Sequence, residues 1–579
     1  MPLATLRQLT LTSLIALTLT ACGGSSDGDD EPLRSSSSGS NSSESSSSTS
    51  SDSSSTTSSS SSSSSAEAED ITPNAFSFAP QEGLEPEAEA VSEEIIIEGI
   101  NRAVGIRIEG GEYRLNGGEF TAENGELESG STLTLRTTAP EELGDTQEVT
   151  VTIGTETTTW SVTTAVDDEP PQGAIAFPPP ISASGAETLI IRGRASDELS
   201  GVAEVTLAVH HADDSVVPYA LEADEENGFS EWQQTVSLAP GDNRIALQVK
   251  DASGNELAEP VEVTVVGQGY EAPFPDDEEK EFAIYDLVFD ESNERILLTG
   301  EDRSDTATAK RVVISVDLET GKRTPFVTLG GENEALGSFY LTVGDIDYSK
   351  NRLIAGQRIR DLVYEFDLDT GLGSVLVDGS VGEGASGFED IDHFVLSKLD
   401  SDHLYMAVYD FDNNPQLIKK NLATGETTVV SSEVLGVGEG DPVYSVRQIV
   451  LSEDEKMAYM NSGLSLYLYD LTTGDREAVP LNYDTEWPLK ALSDMVQIEP
   501  NKFLVFENYL GLMLADTLSG SWEIVRPYDS SDFLETRIAH GVHYLEEDNY
   551  FFMAQRHSNT VYAYDVELNQ AVIITRYSE

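Results

Sequence analysis

Ionisable residues recur along the C-terminal half of this chain at intervals of about fifty residues: Asp286, Asp345, Asp392 with His393, Arg447, Asp494, and His540 with His543. A second set runs in step with the first: Asp302 and Arg303, Arg358 and Arg360, Asp410 and Asp412, Asn461, Glu507, and Arg556 with His557. Two of its members share a Gln-Arg pair, Gln357-Arg358 and Gln555-Arg556. Brought together, such residues can do one of three things. Carboxylates and imidazoles can hold a divalent cation. Arginines can take an anionic or sugar-like ligand through bidentate hydrogen bonds. The charges can also simply pair with one another as a solvated rim. In a catalytic version His540 or His557 would be the base, and the arginines would stabilise developing negative charge. Residues three apart on a strand face opposite sides, so His540 and His543 are not expected to share one ion.

These residues must be positioned by the repeat that carries them. Between Phe282 and Glu579 a turn recurs six times: DLETG (Asp317–Gly321), DLDTG (Asp367–Gly371), NLATG (Asn421–Gly425), DLTTG (Asp470–Gly474), a decayed DTLSG (Asp516–Gly520) and DVELN (Asp565–Asn569). A fixed period of this size marks a repeat architecture. Each copy holds four short runs of alternating pattern; in the fourth they are Val446–Leu451, Met457–Met460, Ser465–Leu471 and Glu477–Leu481. Alternation rich in Val, Ile, Leu and Tyr reads as half-buried strand. Four antiparallel strands per copy, with no helical period, predict a β-propeller blade. Six turns predict six blades; one further divergent copy would make seven. The Asp-x-x-x-Gly turn joins the third strand to the fourth, where Asp can bond its own backbone and Gly can take the left-handed conformation. The first copy begins on an inner strand and the last ends on an outer one, so the ring is expected to close by packing of blade one on blade six. In such a ring the first residue set marks the starts of the innermost strands and the second marks the loops joining second to third strands. The expected ligand-binding residues at this channel mouth are Asp345, Arg358, Asp392, Arg447, Asp494 and Arg556.

The N-terminus carries an address. One basic residue, Arg7, precedes an apolar run, Leu9–Leu19, that is too short to span a bilayer and is built like a secretion signal. Leu19-Thr20-Ala21-Cys22 follows, and Cys22 is the one cysteine of the chain. This stretch resembles the lipobox of bacterial lipoproteins. The resemblance implies cleavage before Cys22, lipidation (palmitate among the acyl chains) of Cys22, and, with Gly23 rather than Asp after it, an outer-membrane destination. Residues 1–21 are then the signal and residues 22–90 a tether. Ser35–Ser65 is nearly pure serine and has nothing to bury against the entropy of ordering, so it is expected to be disordered. Gly24-Ser25-Ser26-Asp27-Gly28 fits the serine-hydrolase pattern but lies in this tether, with no strand before it and no helix after it. Gly382–Gly387 fits G-x-G-x-x-G without a βαβ unit around it. Asp410–Gln416 begins like a calcium loop but has Pro415 where the turn glycine belongs.

Between tether and repeat lie two smaller all-β segments, residues 91–166 and 167–268, with an acidic, proline-rich linker at 269–281. The first ends VTVTIGTETTTWSVTT and resembles a module common in exported bacterial proteins. In the second, Gly228–Glu256 resembles bacterial Ig-like domains, with the pattern V-x-L-x-P-G-x-N-x-I followed by D-x-x-G-N. The resemblance implies two small β-sandwiches acting as spacers or accessory binding modules. Asp197 and Asp251 could bind calcium at a domain junction, although Asp251-Ala-Ser-Gly-Asn reads first as a hairpin turn.

Acidic residues number 104 against 33 basic ones, a net charge of −71. Such a surface repels nucleic acid. It suits a salty medium, where self-repulsion is screened, and so a marine or halophilic source. The chain is therefore expected to be a lipid-anchored outer-membrane protein whose propeller binds a protein or glycan partner in a scaffold role. The alternative is an enzyme of the six-bladed lactonase or sugar-lyase kind acting at the channel mouth. No HExxH, Cys–His cluster or phosphate loop occurs, which leans the reading away from an enzyme. No cofactor is expected beyond a divalent cation such as calcium.

Overall fold

The computed structural model describes residues 69–267, 282–303, 310–336, 339–357, 362–378, 388–410, 412–463, 465–479, 492–507, 511–527, 539–555 and 559–575. The signal, Cys22, Ser35–Ser65 and the expected linker at 269–281 lie outside the described residues. The regular structure of the described chain is almost entirely strand, with a few 3-10 turns. None of its helices is long and apolar enough to cross a membrane.

Two compact units divide the chain at Val166. In the first, a five-stranded sheet and a four-stranded sheet enclose a core centred on Trp160, Leu133, Leu135, Val149, Val151 and Val162. Its start corrects the sequence reading, which assigned residues up to 90 to the tether. Gln81–Leu84 pairs in parallel with Glu156–Thr164, and Glu89–Val91 pairs antiparallel with Thr132–Thr138. Phe78 and Ala90 are buried, and the Trp160 indole donates to the Ala79 carbonyl at 3.0 Å. This segment is held by backbone pairing and a few apolar anchors. It is too short and too rich in Glu and Pro to show alternation, which is why composition read it as tether.

The second unit runs from Asp167 to Glu579 and contains the second small module and the propeller. The propeller has six four-stranded antiparallel blades among the described residues. Their innermost strands are Phe282–Asp290, Val343–Asp347, Phe388–Leu396, Gln448–Leu451, Leu492–Glu499 and Ala539–Leu545. Each adjoins the next, and that of blade six adjoins that of blade one, so the ring closes as the sequence predicts. The recurring turns join third to fourth strands. The Asp317 carboxylate accepts the Thr320 N–H at 2.8 Å, and Gly321 sits at φ 64° with its N–H on the Asp317 carbonyl. Asp367, Asn421, Asp470, Asp516 and Asp565 accept local backbone N–H groups in the same way. These residues do turn chemistry, not ligand chemistry.

The second module is a sandwich of Gln172–Phe177, Thr188–Ser196 and Trp232–Ser237 against a larger sheet. That larger sheet does not stop at the module's edge. Ile181–Ala183 pairs in parallel with Val261–Gly267 on one side, and Ala183 bridges Ile573 of the outermost strand of blade six on the other. One apolar core then runs from Trp232 and Ile191 of the module into Phe282 of blade one and Phe552 of blade six. The module is built into the propeller rather than strung in front of it.

Candidate functional site

Four of the six innermost strands carry a β-bulge beside their ionisable residue, whereas Val343–Asp347 and Gln448–Leu451 pair without one. The pairing register shifts between Ile284 and Asp286, between Ile391 and His393, between Leu492 and Met495, and between Ala539 and Val542. A bulge bends the strand and re-aims the side chain, and here the side chain is turned toward the next blade. Asp286 accepts the Gly344 N–H at 2.9 Å, Asp345 the Leu396 N–H at 2.8 Å, and Asp392 the Val446 N–H at 2.8 Å. Gln448 accepts the Met495 N–H at 2.6 Å, and Asp494 the Gly541 N–H at 2.7 Å. Five successive blade junctions are thus clamped by one side chain each. At the sixth, Gly541 (φ 74°) packs so tightly on blade one that a Cβ would lie 2.0 Å from the Leu287 nitrogen. His540-Gly541-Val542-His543 therefore needs its glycine for ring closure. Strand alternation does not carry across the bulge at that point, so the sequence argument separating His540 from His543 loses its premise.

Asp286, Asp345, Asp392 and Asp494 each stand at a junction between successive blades, with carboxylate oxygens engaged by backbone amides. The remaining oxygens of Asp286, Asp345 and Asp494 accept the N–H of the following residue at 2.8–2.9 Å. In blade four the sequence reading is one residue early: Gln448 makes the clamp, while Arg447 is exposed and its backbone N–H bonds the Asn461 carbonyl. Of the loop set, Asp302 is buried and paired with Arg311 at 2.8 Å, Arg303 pairs with Glu301, and Asp410 holds its own turn through Asp412 and Asn414. Gln357 and Gln555 are buried. His540 starts the innermost strand of blade six. Arg358, Arg556 and His557 lie outside the described residues.

Enclosure shapes the ionisation of the ring. Burial pushes Asp286 up to about 7, against the lowering effect of the Gly344 and Leu287 N–H groups, and the nearby Asp345 adds to the rise. Burial also raises Asp345, and raises Asp494 well above the carboxylate range with Asp286 contributing. His543 is pushed down to about 4 by burial, with the Lys398 charge acting in the same direction. Each group is thus displaced toward its uncharged form.

Beyond the ring the channel widens into a cavity of about 710 Å³ walled by all six innermost strands. It opens at the end where those strands finish, opposite the loops that carry Asp302 and Asp410. Its walls are about equally polar and apolar: Ile346, Leu396, Leu451, Met495 and Val542 stand beside Asp345, Gln448, Gln497 and His543. Its rim carries the exposed side chains of Glu453, Glu499 and Glu546 and one lysine, Lys398. Sequence reasoning missed these rim residues because they sit in the short turns between first and second strands, which differ in length and type from copy to copy.

In the second module, Asp197 and Asp251 are brought together with Asp167. Carboxylate oxygens of the three lie within 4.8 Å of one another. The ring carboxylates form no such group of three among the described residues.

No family model matches this chain, and no curated protein matches it. Solved structures do. A Bacteroides thetaiotaomicron protein of unknown function aligns over 70% of this chain and 98% of its own, at 14% identity and a TM-score of 0.37. An auxiliary nutrient binding protein from the same organism aligns over 70% and 99%, at 13% identity and a TM-score of 0.36. TolB from Acinetobacter baumannii aligns over 59% and 78%, at 12% identity and a TM-score of 0.34.

Proposed function

We propose that the propeller is a binding module that receives part of a protein or glycan partner at the acidic end of its central channel. The rest of the reading follows the N-terminal sequence: the chain is held at the bacterial outer membrane through a lipid on Cys22. The observation that supports the binding role is a cavity of about 710 Å³ walled by all six blades. That volume falls in the range of small-ligand sites. The clamp carboxylates are engaged with backbone, and Glu499 is paired with Lys502 at 2.7 Å, which leaves Glu453, Glu546 and Lys398 on the rim to orient a ligand. The excess of acids that remains beside Lys398 and the Glu499–Lys502 pair favours a ligand with positive charge or a sugar whose hydroxyls donate to carboxylates.

A glycan array and a pull-down from envelope extract, both with the purified chain, would test this. Glu453→Lys together with Glu546→Lys should abolish binding while moving the melting midpoint little, because exposed charges contribute little to folding. Binding that survives this pair, but is lost on replacing Arg358 and Arg556 by Ala, would move the site to the opposite mouth. Turnover of a lactone or uronic-acid glycan lost in that arginine variant would replace binding with catalysis.

A further inference from the structure

We infer that the second module carries a calcium site formed by Asp167, Asp197 and Asp251. The three residues come from separate segments. Asp167 precedes the strand Gln172–Phe177, Asp197 follows Thr188–Ser196, and Asp251 ends Gly241–Asp251. The fold draws them to one end of the sandwich and fixes them there. The Asp197 carboxylate accepts the N–H groups of Ser200 and Gly201, both at 2.8 Å. The Asp251 carboxylate accepts the N–H groups of Gly254 at 2.6 Å and Asn255 at 2.8 Å. The two turns are tied to each other by the Ala252 N–H on the Gly201 carbonyl at 3.0 Å. The Asn255 amide reaches both the Asp251 carboxylate at 2.9 Å and the Asp167 carbonyl at 3.2 Å.

A cluster of aspartates alone would prove nothing. The deciding feature is Asp167. It is 7% exposed, and its Oδ2 is buried with no hydrogen-bond partner. Its Oδ1 takes one long bond from the Glu169 N–H at 3.3 Å. A buried carboxylate oxygen without a partner is costly, and such an atom calls for a specific explanation. No ion pair to Asp167, Asp197 or Asp251 occurs among the described residues. Three carboxylates within 4.8 Å in a largely enclosed site repel one another strongly. A cation among them removes both costs at once.

The chemistry of the donors selects the ion. All three are hard oxygen ligands, without imidazole or thiolate, which points away from zinc and copper. Calcium holds its oxygens at roughly 2.3–2.6 Å, so two ligands of one ion are at most about 5 Å apart. The mutual spacing within 4.8 Å fits that sphere. Carboxylates bind calcium singly or in bidentate fashion, and water and carbonyl oxygens complete its six to eight positions. Magnesium asks for a tighter octahedron and keeps most of its water, so it is the poorer fit. The site joins the first residues of the module to two of its turns, so the ion would brace that end of the sandwich.

The test is calcium titration of the chelator-treated full chain by calorimetry, in about 0.15 M salt to screen the acidic surface. The wild type should bind one equivalent more than Asp167→Ala. Its melting midpoint should rise with calcium and fall with chelator, by ordinary linkage. Asp167→Ala should lose that equivalent and the calcium-dependent rise, while its midpoint without calcium stays at or above that of the wild type. Equal calcium stoichiometry in the two chains would overturn the proposal. So would a wild-type midpoint indifferent to calcium and chelator, a reading that does not depend on the variant folding. A response in which magnesium at the same concentration fully replaces calcium would overturn the choice of ion.

Discussion

Arg192 should be the most sensitive point of contact between the second module and the propeller. Its Nε and Nη2 lie 2.9 and 2.6 Å from the Oδ2 of Asp565, and Nη2 also donates to the Asp548 carbonyl. The Asp565 side chain is 0% exposed and that of Arg192 14%. Beside them the Gln570 amide exchanges two hydrogen bonds with the Ile190 backbone, at 2.8 and 3.0 Å. Replacing Arg192 by Ala leaves the Asp565 Oδ2 buried without its charged partner. Breaking a buried pair in this way costs about 3–5 kcal/mol. For a cooperative unit of about 400 residues, that lowers the melting midpoint by roughly 4–6 °C. Arg194 supplies the comparison. It pairs with Asp548 at 2.8 Å, but the two side chains are 37% and 33% exposed. Arg194→Ala should therefore cost about 0–1 kcal/mol. Arg192→Lys should restore little, because one ammonium cannot reproduce the fork. Adding Asp565→Asn to Arg192→Ala should recover part of the loss by removing the stranded charge. The assay is thermal and urea unfolding of the four variants side by side. If Arg192→Ala and Arg194→Ala melt together, burial is not what makes this pair matter, and the reasoning fails.

The channel ring should make stability depend on pH. Asp286 has its folded pKa raised to about 7, so its contribution is fully present below the unfolded value and is lost as pH rises toward 7; Asp286→Asn should therefore gain on the wild type between pH 4 and pH 7, and a constant difference in melting midpoint across that window would contradict it. Gly541→Ala should destabilise the propeller by several degrees, since its Cβ meets the Leu287 nitrogen at 2.0 Å and its φ is 74°; an unchanged midpoint would show that the blade six to blade one junction is looser than described. Cys22→Ser should move the protein from the membrane to the soluble fraction, and continued sedimentation with membranes would remove the lipoprotein reading. Limited proteolysis of the mature chain should leave a resistant fragment beginning near Glu69, not Ser92, as N-terminal sequencing of the fragment can decide.

The sequence by itself determined the parts that rest on local chemistry. Turn residues at a fixed period announce six four-stranded blades because an Asp or Asn that bonds its own backbone, with a Gly or Asn at positive φ, is legible wherever it stands. Asn569 at φ 50° shows that the sixth turn, which ends in Asn rather than Gly, keeps this requirement. Alternation gave the strands for the same reason. Tertiary structure decided what each charged residue does. Asp345, Asp392 and Asp494 read as free ligands because their partners are backbone amides of the neighbouring blade, about fifty residues away, and backbone amides leave no mark in a sequence. The bulges beside Asp392 and Asp494 are equally silent, and in blade four, whose inner strand has no bulge, the clamp is made by Gln448 rather than Arg447. Asp565 keeps its turn yet also receives Arg192 from more than 370 residues upstream, and no spacing rule can foretell that meeting. Asp197 and Asp251 were visible as turn aspartates. That they converge, and that Asp167 joins them with a buried oxygen lacking a partner, follows only from the packing of three separate segments at one end of a sandwich.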